Sequence, residues 1–285
     1  MRLCLALNFE GLAWSLRRLW CPVGSNDLVL EVGSGGNPYF RANVLLDAYE
    51  ETRERHWQPL VSDRPTVLGF VERLPFRDKS FDFVIASHVL EHSPDPARFL
   101  SELQRVAKAG YIEVPDAFME RINPYHDHRL EITARQGRLQ IRKKTAWVKD
   151  PEVVELYEDR AKTVITRETM RKHPFEFHVR FYWEQSIPFD ILNPEDDAAW
   201  QATAHDQGIR PHTGLRARIA GYALAVARRF FSQGRRNRLL DLSSLLCCPA
   251  CRSDRLSIST EAIKCDGCGG VYPVRNGIPV MTENA

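Results

Sequence analysis

Short apolar runs recur along the first half of the chain with amphipathic stretches between them. Residues 28–32, Leu-Val-Leu-Glu-Val, form the first run and end in a glycine-rich loop. Val44 to Leu46 form a second, closed by Asp47, and Thr66 to Leu68 a weaker third. Phe81 to Ala86 and Tyr111 to Val114 supply a fourth and a fifth. A helix is expected over residues 49–57 and another over 96–107, where Phe99, Leu100, Leu103 and Val106 share one face. Asp95-Pro96 starts the latter well, with Asp as cap and Pro in the first turn. Strands alternating with helices predict an α/β fold, a parallel sheet covered on both faces.

From residue 115 to about 174 the alternation stops, which predicts an insertion over the sheet. Arg129–Thr133 and Arg138–Lys143 alternate on either side of Gln136-Gly137 and read as a hairpin. A helix at 151–162 and one or two strands within 175–191 follow. Residues 193–213 read as a polar linker and 213–240 as a basic helix. The expected division is 1–192 for the main domain, 193–244 for linker and helix, and 245–285 for a small terminal module.

The chain has 285 residues, 44% hydrophobic and 27% charged, which suits an ordinary globular protein. No apolar run reaches the roughly 18 residues of a membrane span. The first 20 residues carry only a short apolar run and read as a helix packed on the main domain. Seven cysteines, four of them in two CxxC pairs, suit a metal site in the reducing cytosol better than disulfides.

The loop after the first strand, VLEVGSGGNP, places Gly33, Gly35 and Gly36 where the backbone can approach a ligand closely. By itself that is weak evidence against an ordinary tight turn. Asp47, ending the next strand, can accept hydrogen bonds from vicinal ribose hydroxyls. The residues between Val32 and Val44 include Pro38 and leave no room for the crossover helix whose N-terminus would hold a pyrophosphate. The loop therefore suits a nucleoside ligand without phosphates.

LEVGSGGNP, VLLDAY, ERLPFRDKSFDFVIASHVLEH and DPARFLSELQRV, in that order, resemble class I S-adenosylmethionine (SAM)-dependent methyltransferases, the branch of ubiquinone and small-molecule enzymes. The resemblance implies a Rossmann-like sheet with SAM as cofactor. It places Glu31, Gly33 and Gly35 at the methionine end of the donor and Asp47 at the ribose. Val71 and Glu72 would lie beside the adenine, with Ser87 and His88 closing the pocket. Two positions depart from the family pattern: Asn37 replaces a third glycine, and Phe70 replaces an acid beside the adenine.

Loops at the C-terminal ends of such strands face the ligand. That brings His88, Glu91 and His92 near the methyl group, together with the segment from Asp116 to His128. Within NPYHDHRLE, His126 and His128 are candidate general bases for a hydroxyl acceptor; capping turns, or binding a metal, are the alternatives. Arg129, Arg135, Arg138, Arg142, Lys143, Lys144 and Lys149 face a single acid, Glu131, across residues 129–149. Over an active-site mouth, such a run favours an anionic small-molecule or glycan-type acceptor, although charge runs also form solvated faces.

The tail reads CPAC, thirteen residues, CDGC. Two CxxC turns complete a tetrahedral, structural zinc site, assigned to Cys248, Cys251, Cys265 and Cys268, with Cys247 spare. This segment is similar to the small zinc-ribbon subunits that activate tRNA, rRNA and release-factor methyltransferases, which keeps an RNA- or protein-directed reading open. The NPPY-type motif of many amino-group methyltransferases is replaced here by SHVL. Residues 213–240 hold seven arginines and no acid, with Leu215, Ile219, Tyr222, Val226 and Phe230 on one face. Such a helix docks the ribbon on the main domain, lies on an anionic membrane surface, or touches nucleic acid. A non-catalytic scaffold is the remaining reading, should the donor not bind.

Overall fold

The structure is a computed structural model and describes residues 2–52, 59–200 and 214–282. The expected N-terminal helix is two short ones, α1 (Arg2–Ala6) and α2 (Glu10–Ser15). Asn8, at a φ of 57°, separates them in the left-handed conformation that Asn tolerates better than most residues.

Five parallel strands follow: β1 (Val29–Val32), β2 (Val44–Asp47), β3 (Thr66–Leu68), β4 (Phe81–Ser87) and β5 (Ala107–Pro115). The stretch between β1 and β2 contains turns and no helix, as its length and Pro38 require. Residues 49–52 are irregular, so the helix expected at 49–57 does not start there; residues 53–58 lie outside the described ones. Helix α3 (Pro96–Val106) joins β4 to β5, and the Asp95 side chain accepts from the Arg98 N–H as its cap.

Successive strand residues alternate between two cores. Leu30, Val32, Val44, Leu46, Val84 and Ile112 meet α3 on one face. Val29, Leu45, Phe83, Ile85 and Tyr111 pack with Tyr39, Cys21 and Val23 on the other. The N-terminal segment and the loop after β1 thus cover the face that a crossover helix would otherwise occupy.

Helix α4 (Ala117–Ile122) and the hairpin β6 (Leu130–Arg135) and β7 (Arg138–Lys143) form the insertion. Gln136 and Gly137, at φ 51° and 73°, make its two-residue turn. Helix α5 (Pro151–Leu156) continues through π-turns at Tyr157–Ala161 and Thr163–Thr169 into α6 (Met170–Lys172). β8 (His178–Glu184) returns antiparallel to β5, giving the sheet order β3-β2-β1-β4-β5-β8. β9 (Phe189–Ile191) leaves that sheet and pairs in parallel with β7.

Further along the chain, α7 (Leu215–Phe231) does not bury its expected apolar face: Ile219, Tyr222, Val226 and Phe230 are exposed. Docking falls instead to α8 (Gly234–Leu239), which makes polar contacts. Buried Asn43 donates to Gln233 and Asn237, and Arg236 donates to the carbonyls of Ser25, Asn26 and Asp27.

The terminal module is a meander of β10 (Leu256–Ile258), β11 (Ala262–Cys265), β12 (Val271–Arg275) and β13 (Ile278–Pro279). It continues the main sheet: Val280 bridges Leu68 in parallel, and the Met281 N–H donates to the Leu68 carbonyl at 2.7 Å. The β3 edge is thereby covered instead of exposed. Leu246 bridges Phe76, and Arg252 reaches buried Glu102 of α3 at 2.7 Å. Leu246, Cys248, Ile263, Tyr272 and Met281 belong to the same apolar cluster as the sheet and α3.

Candidate active site

A cavity of about 490 Å³ opens at the C-terminal ends of β1, β2 and β4, within the roughly 300–1,000 Å³ range of small-molecule sites. Gly33, Gly35, Asp47, Phe70, Val71, Glu72, His88 and His92 line it. Gly33 and Gly35 have φ values of 64° and 57°. A side chain at Gly33 would strain that backbone and would put its Cβ 2.7 Å from the Cβ of Val89. Asp47 is held at the wall by the N–H groups of Gly35, at 2.9 Å, and Tyr49, at 3.2 Å. Phe70 is 40% exposed and meets Tyr49 edge to face, so its ring serves the cavity rather than the core. The Glu72 carboxyl is raised by burial, against a hydrogen bond from the Ser93 hydroxyl.

Two expected donor residues sit behind this wall. Glu31 is buried on the opposite face of the sheet and accepts from the Tyr39 N–H at 2.7 Å. Burial pushes its carboxyl up to about 7, against Arg18, the Tyr39 N–H and Arg64. Ser87 is buried too and donates to Glu113 at 3.0 Å. Asn37, the substituted loop position, accepts through its carbonyl from Arg18.

His88 stands at the end of β4 with a φ of 57°. Its Nδ1 is 3.5 Å from Glu91 Oε1 and its Nε2 is 3.5 Å from Glu113 Oε1. Burial favours the neutral ring, but the two carboxylates outweigh it and raise the pKa to about 9. Near neutral pH this group is an imidazolium, a donor rather than a base. Glu113 is itself buried and also binds Arg17 at 3.1 Å and the Tyr111 hydroxyl at 2.7 Å. Burial works against its ionisation, but His88 and Arg17 hold its carboxyl far below the usual range. Neither Glu113 nor Arg17 was anticipated from the sequence. An acid inside the apolar run YIEVP was the available signal, because a buried carboxylate requires partners.

His126 and His128 are not among the lining residues. His126 Nε2 is 2.9 Å from Asp127, and His128 Nδ1 is 2.7 Å from the buried Glu120 carboxylate, which also takes Lys144 at 2.6 Å. Carboxylates engage both rings, and the cavity presents His88 and His92 instead. The basic run is also engaged internally: Arg138 pairs with Asp190, and Lys143 donates to the carbonyls of Pro194 and Asp196. Of that run, Arg129 reaches the cavity.

The ribbon contributes Pro249, Met281 and Thr282 to the same cavity. Its four thiols gather as the spacing predicts, with the sulfur atoms of Cys248, Cys251, Cys265 and Cys268 all within 4.8 Å of one another. Cys248 and Cys268 are 3.7 Å apart and Cys251 and Cys265 3.5 Å, matching the roughly 3.8 Å edge of a tetrahedron with Zn–S bonds near 2.3 Å. Burial disfavours the Cys248 thiolate. The Tyr272 hydroxyl at 3.2 Å and the N–H groups of Cys251 and Ala250 outweigh it and lower that pKa. The donor set fits a structural zinc ion with no open position. Cys247 is buried and outside the cluster.

Residues 30–112 match the methyltransferase domain family, and residues 240–277 match the Trm112p-like protein family. The chain thus joins a class I SAM-dependent methyltransferase domain to a Trm112-like zinc ribbon. A 2-phytyl-1,4-naphthoquinone methyltransferase of Nostoc punctiforme is 36% identical over 94 residues, covering 30% of this chain and 40% of that protein. A demethylmenaquinone methyltransferase of Anoxybacillus flavithermus is 37% identical over 82 residues, covering 28% and 33%. The chain therefore spans less than half the length of these relatives. Among solved structures, a Haloferax volcanii complex of the Trm112 methyltransferase activator with a methyltransferase aligns at 16% identity and TM-score 0.38, covering 64% of this chain and 92% of that one.

Proposed function

We propose that the protein transfers a methyl group from SAM to an oxygen of a small-molecule or glycan-type acceptor carrying an anionic group. One observation carries this reading: the matched methyltransferase segment builds a cavity in which two left-handed glycines, a backbone-anchored Asp47 and the histidines 88 and 92 converge. Gly33, Gly35 and Asp47 would hold the donor's methionine and ribose portions, and Phe70, Val71 and Glu72 its adenine. The donor supplies an activated methyl on a sulfonium, so the protein's main task is alignment. His88, with its two ring nitrogens taken by Glu91 and Glu113, presents a fixed positive charge to the cavity rather than a base. Arg73 and Arg129 line the cavity and favour the anionic group.

In this reading residues 1–192 are the catalytic unit, with 115–174 as its lid. Residues 193–244 connect it to the ribbon, 245–285. Among the described residues no helix is long and apolar enough to cross a membrane, and a cytoplasmic site would keep the four thiols reduced for zinc.

The test is calorimetric titration of S-adenosylhomocysteine into the zinc-loaded chain, with Asp47→Ala in parallel. Micromolar binding that the substitution abolishes is expected. An unliganded wild type would replace this reading with the scaffold one. The Trm112-like segment favours a second reading, an RNA- or protein-directed enzyme. Methylated nucleosides recovered after incubation with total RNA would select it.

A further inference from the structure

Three side chains beside the cavity, of which His92 lines it, are arranged as metal ligands. Glu91 and His92 come from the turn after β4, and His128 comes from the loop before β6. Their ligand atoms all lie within 4.8 Å of one another. Bonds near 2.1 Å place the ligands of one cation about 3.0–4.2 Å apart, so rotamer-scale movement closes the set.

Two further observations point to a ligand. Glu91 is 2% exposed, and its Oε2 has no hydrogen-bond partner. A buried carboxylate oxygen left unpaired is costly, and native structures rarely keep one without an ion or water to satisfy it. The histidines, in turn, are already oriented by their other nitrogens. His92 Nδ1 lies 3.1 Å from the Asp127 carbonyl, and His128 Nδ1 lies 2.7 Å from Glu120 Oε2. A proton on each Nδ1 leaves each Nε2 with its lone pair. Metal-binding histidines are held this way by an outer carbonyl or carboxylate. The two rings meet edge to face at 4.9 Å, and His92 also lines the donor cavity.

We propose that Glu91, His92 and His128 form a second metal site, separate from the four-cysteine cluster, for a divalent first-row transition cation. Two imidazoles and one carboxylate suit zinc, iron or cobalt better than magnesium or calcium, which prefer all-oxygen shells. Three protein ligands leave coordination positions open. Through His92 the cation adjoins the cavity, where an acceptor hydroxyl or carboxylate oxygen can complete its shell. That use rests on the oxygen-directed reading above; the metal site itself does not.

The test is made on the full chain with its ribbon zinc in place. After equilibration with excess Zn²⁺ and desalting, elemental analysis should find one zinc per chain more than the four-cysteine site takes. Glu91→Gln and His128→Asn should lose that extra ion, whereas His126→Asn, which changes a neighbouring histidine outside the set, should keep it. Co²⁺ added to the zinc-loaded wild type should give the weak visible bands of nitrogen- and oxygen-bound cobalt, without thiolate charge-transfer absorption. That measurement stands even if a variant fails to fold. A wild type holding only the ribbon's zinc and giving no such bands would overturn the proposal. So would Glu91→Gln and His128→Asn proteins that fold and retain the extra ion. None of these readouts depends on turnover, and the S-adenosylhomocysteine titration reports on the donor cavity separately.

Discussion

Truncating Met281 to alanine asks whether the ribbon forms a working wall of the donor cavity. Met281 is 1% exposed, its N–H is bonded to Leu68 of β3, and it lines the cavity beside Thr282. Removing a fully buried methionine side chain costs about 2–5 kcal/mol. Here the void opens onto an existing cavity rather than closing on itself, so the lower end, about 2 kcal/mol, is expected. At 1% exposure the Met281 surface offers the donor little direct contact, so affinity for the donor should fall only as far as the opened void lets the wall relax, about twofold. Urea denaturation measures the first effect and calorimetric titration of S-adenosylhomocysteine the second. Retained zinc in the variant would show that the ribbon itself is still folded. Lower stability with unchanged affinity would refute the wall and leave Met281 as core. No change in either would refute the docking of the ribbon on β3.

Glu31 provides a pH test. Burial raises its folded pKa to about 7 from about 4.5. Its stabilising contribution is therefore complete below about pH 4.5 and is lost as pH rises through about 7. Glu31→Gln removes the charge and keeps an acceptor for the Tyr39 N–H. The variant should gain on the wild type between pH 5 and 8, by up to about 3 kcal/mol, in urea melts; a pH-independent difference would contradict the buried carboxyl. Helix α7 presents exposed Ile219, Tyr222, Val226 and Phe230 close to Arg228 and Arg229. It should bring the chain down with phosphatidylglycerol vesicles and not with phosphatidylcholine ones, and Phe230→Asp should weaken that cosedimentation several-fold. Equal recovery with both lipids, or no effect of the substitution, would leave the helix without a membrane role.

Much of this architecture was legible along the chain because its signals are local. Apolar runs of three to six residues bounded by turns gave β1 to β4. The missing crossover helix followed from the length and Pro38 of the β1–β2 connection. The four zinc ligands followed from CxxC spacing, since each such turn presents two thiols to one ion. The hairpin turn read at Gln136-Gly137 adopts the left-handed φ values it needs.

What the sequence could not fix depended on partners distant along the chain. An alternating strand shows that Glu31 and Leu30 face opposite ways, but not which side faces the ligand; packing decided that Glu31 lies behind the cavity wall. His126 and His128 looked like free bases in NPYHDHRLE, yet Asp127 and Glu120 determine where their rings point. Glu120 also takes Lys144, and Asp190 takes Arg138, so a run that reads as open positive charge is partly neutralised once folded. The ribbon's place followed the same rule. Its cysteines encode the zinc site by spacing alone. Only the pairing of Val280 and Met281 with Leu68 makes it the edge of the main sheet and a wall of the cavity, because strand pairing is chosen by whichever edge tertiary packing leaves open.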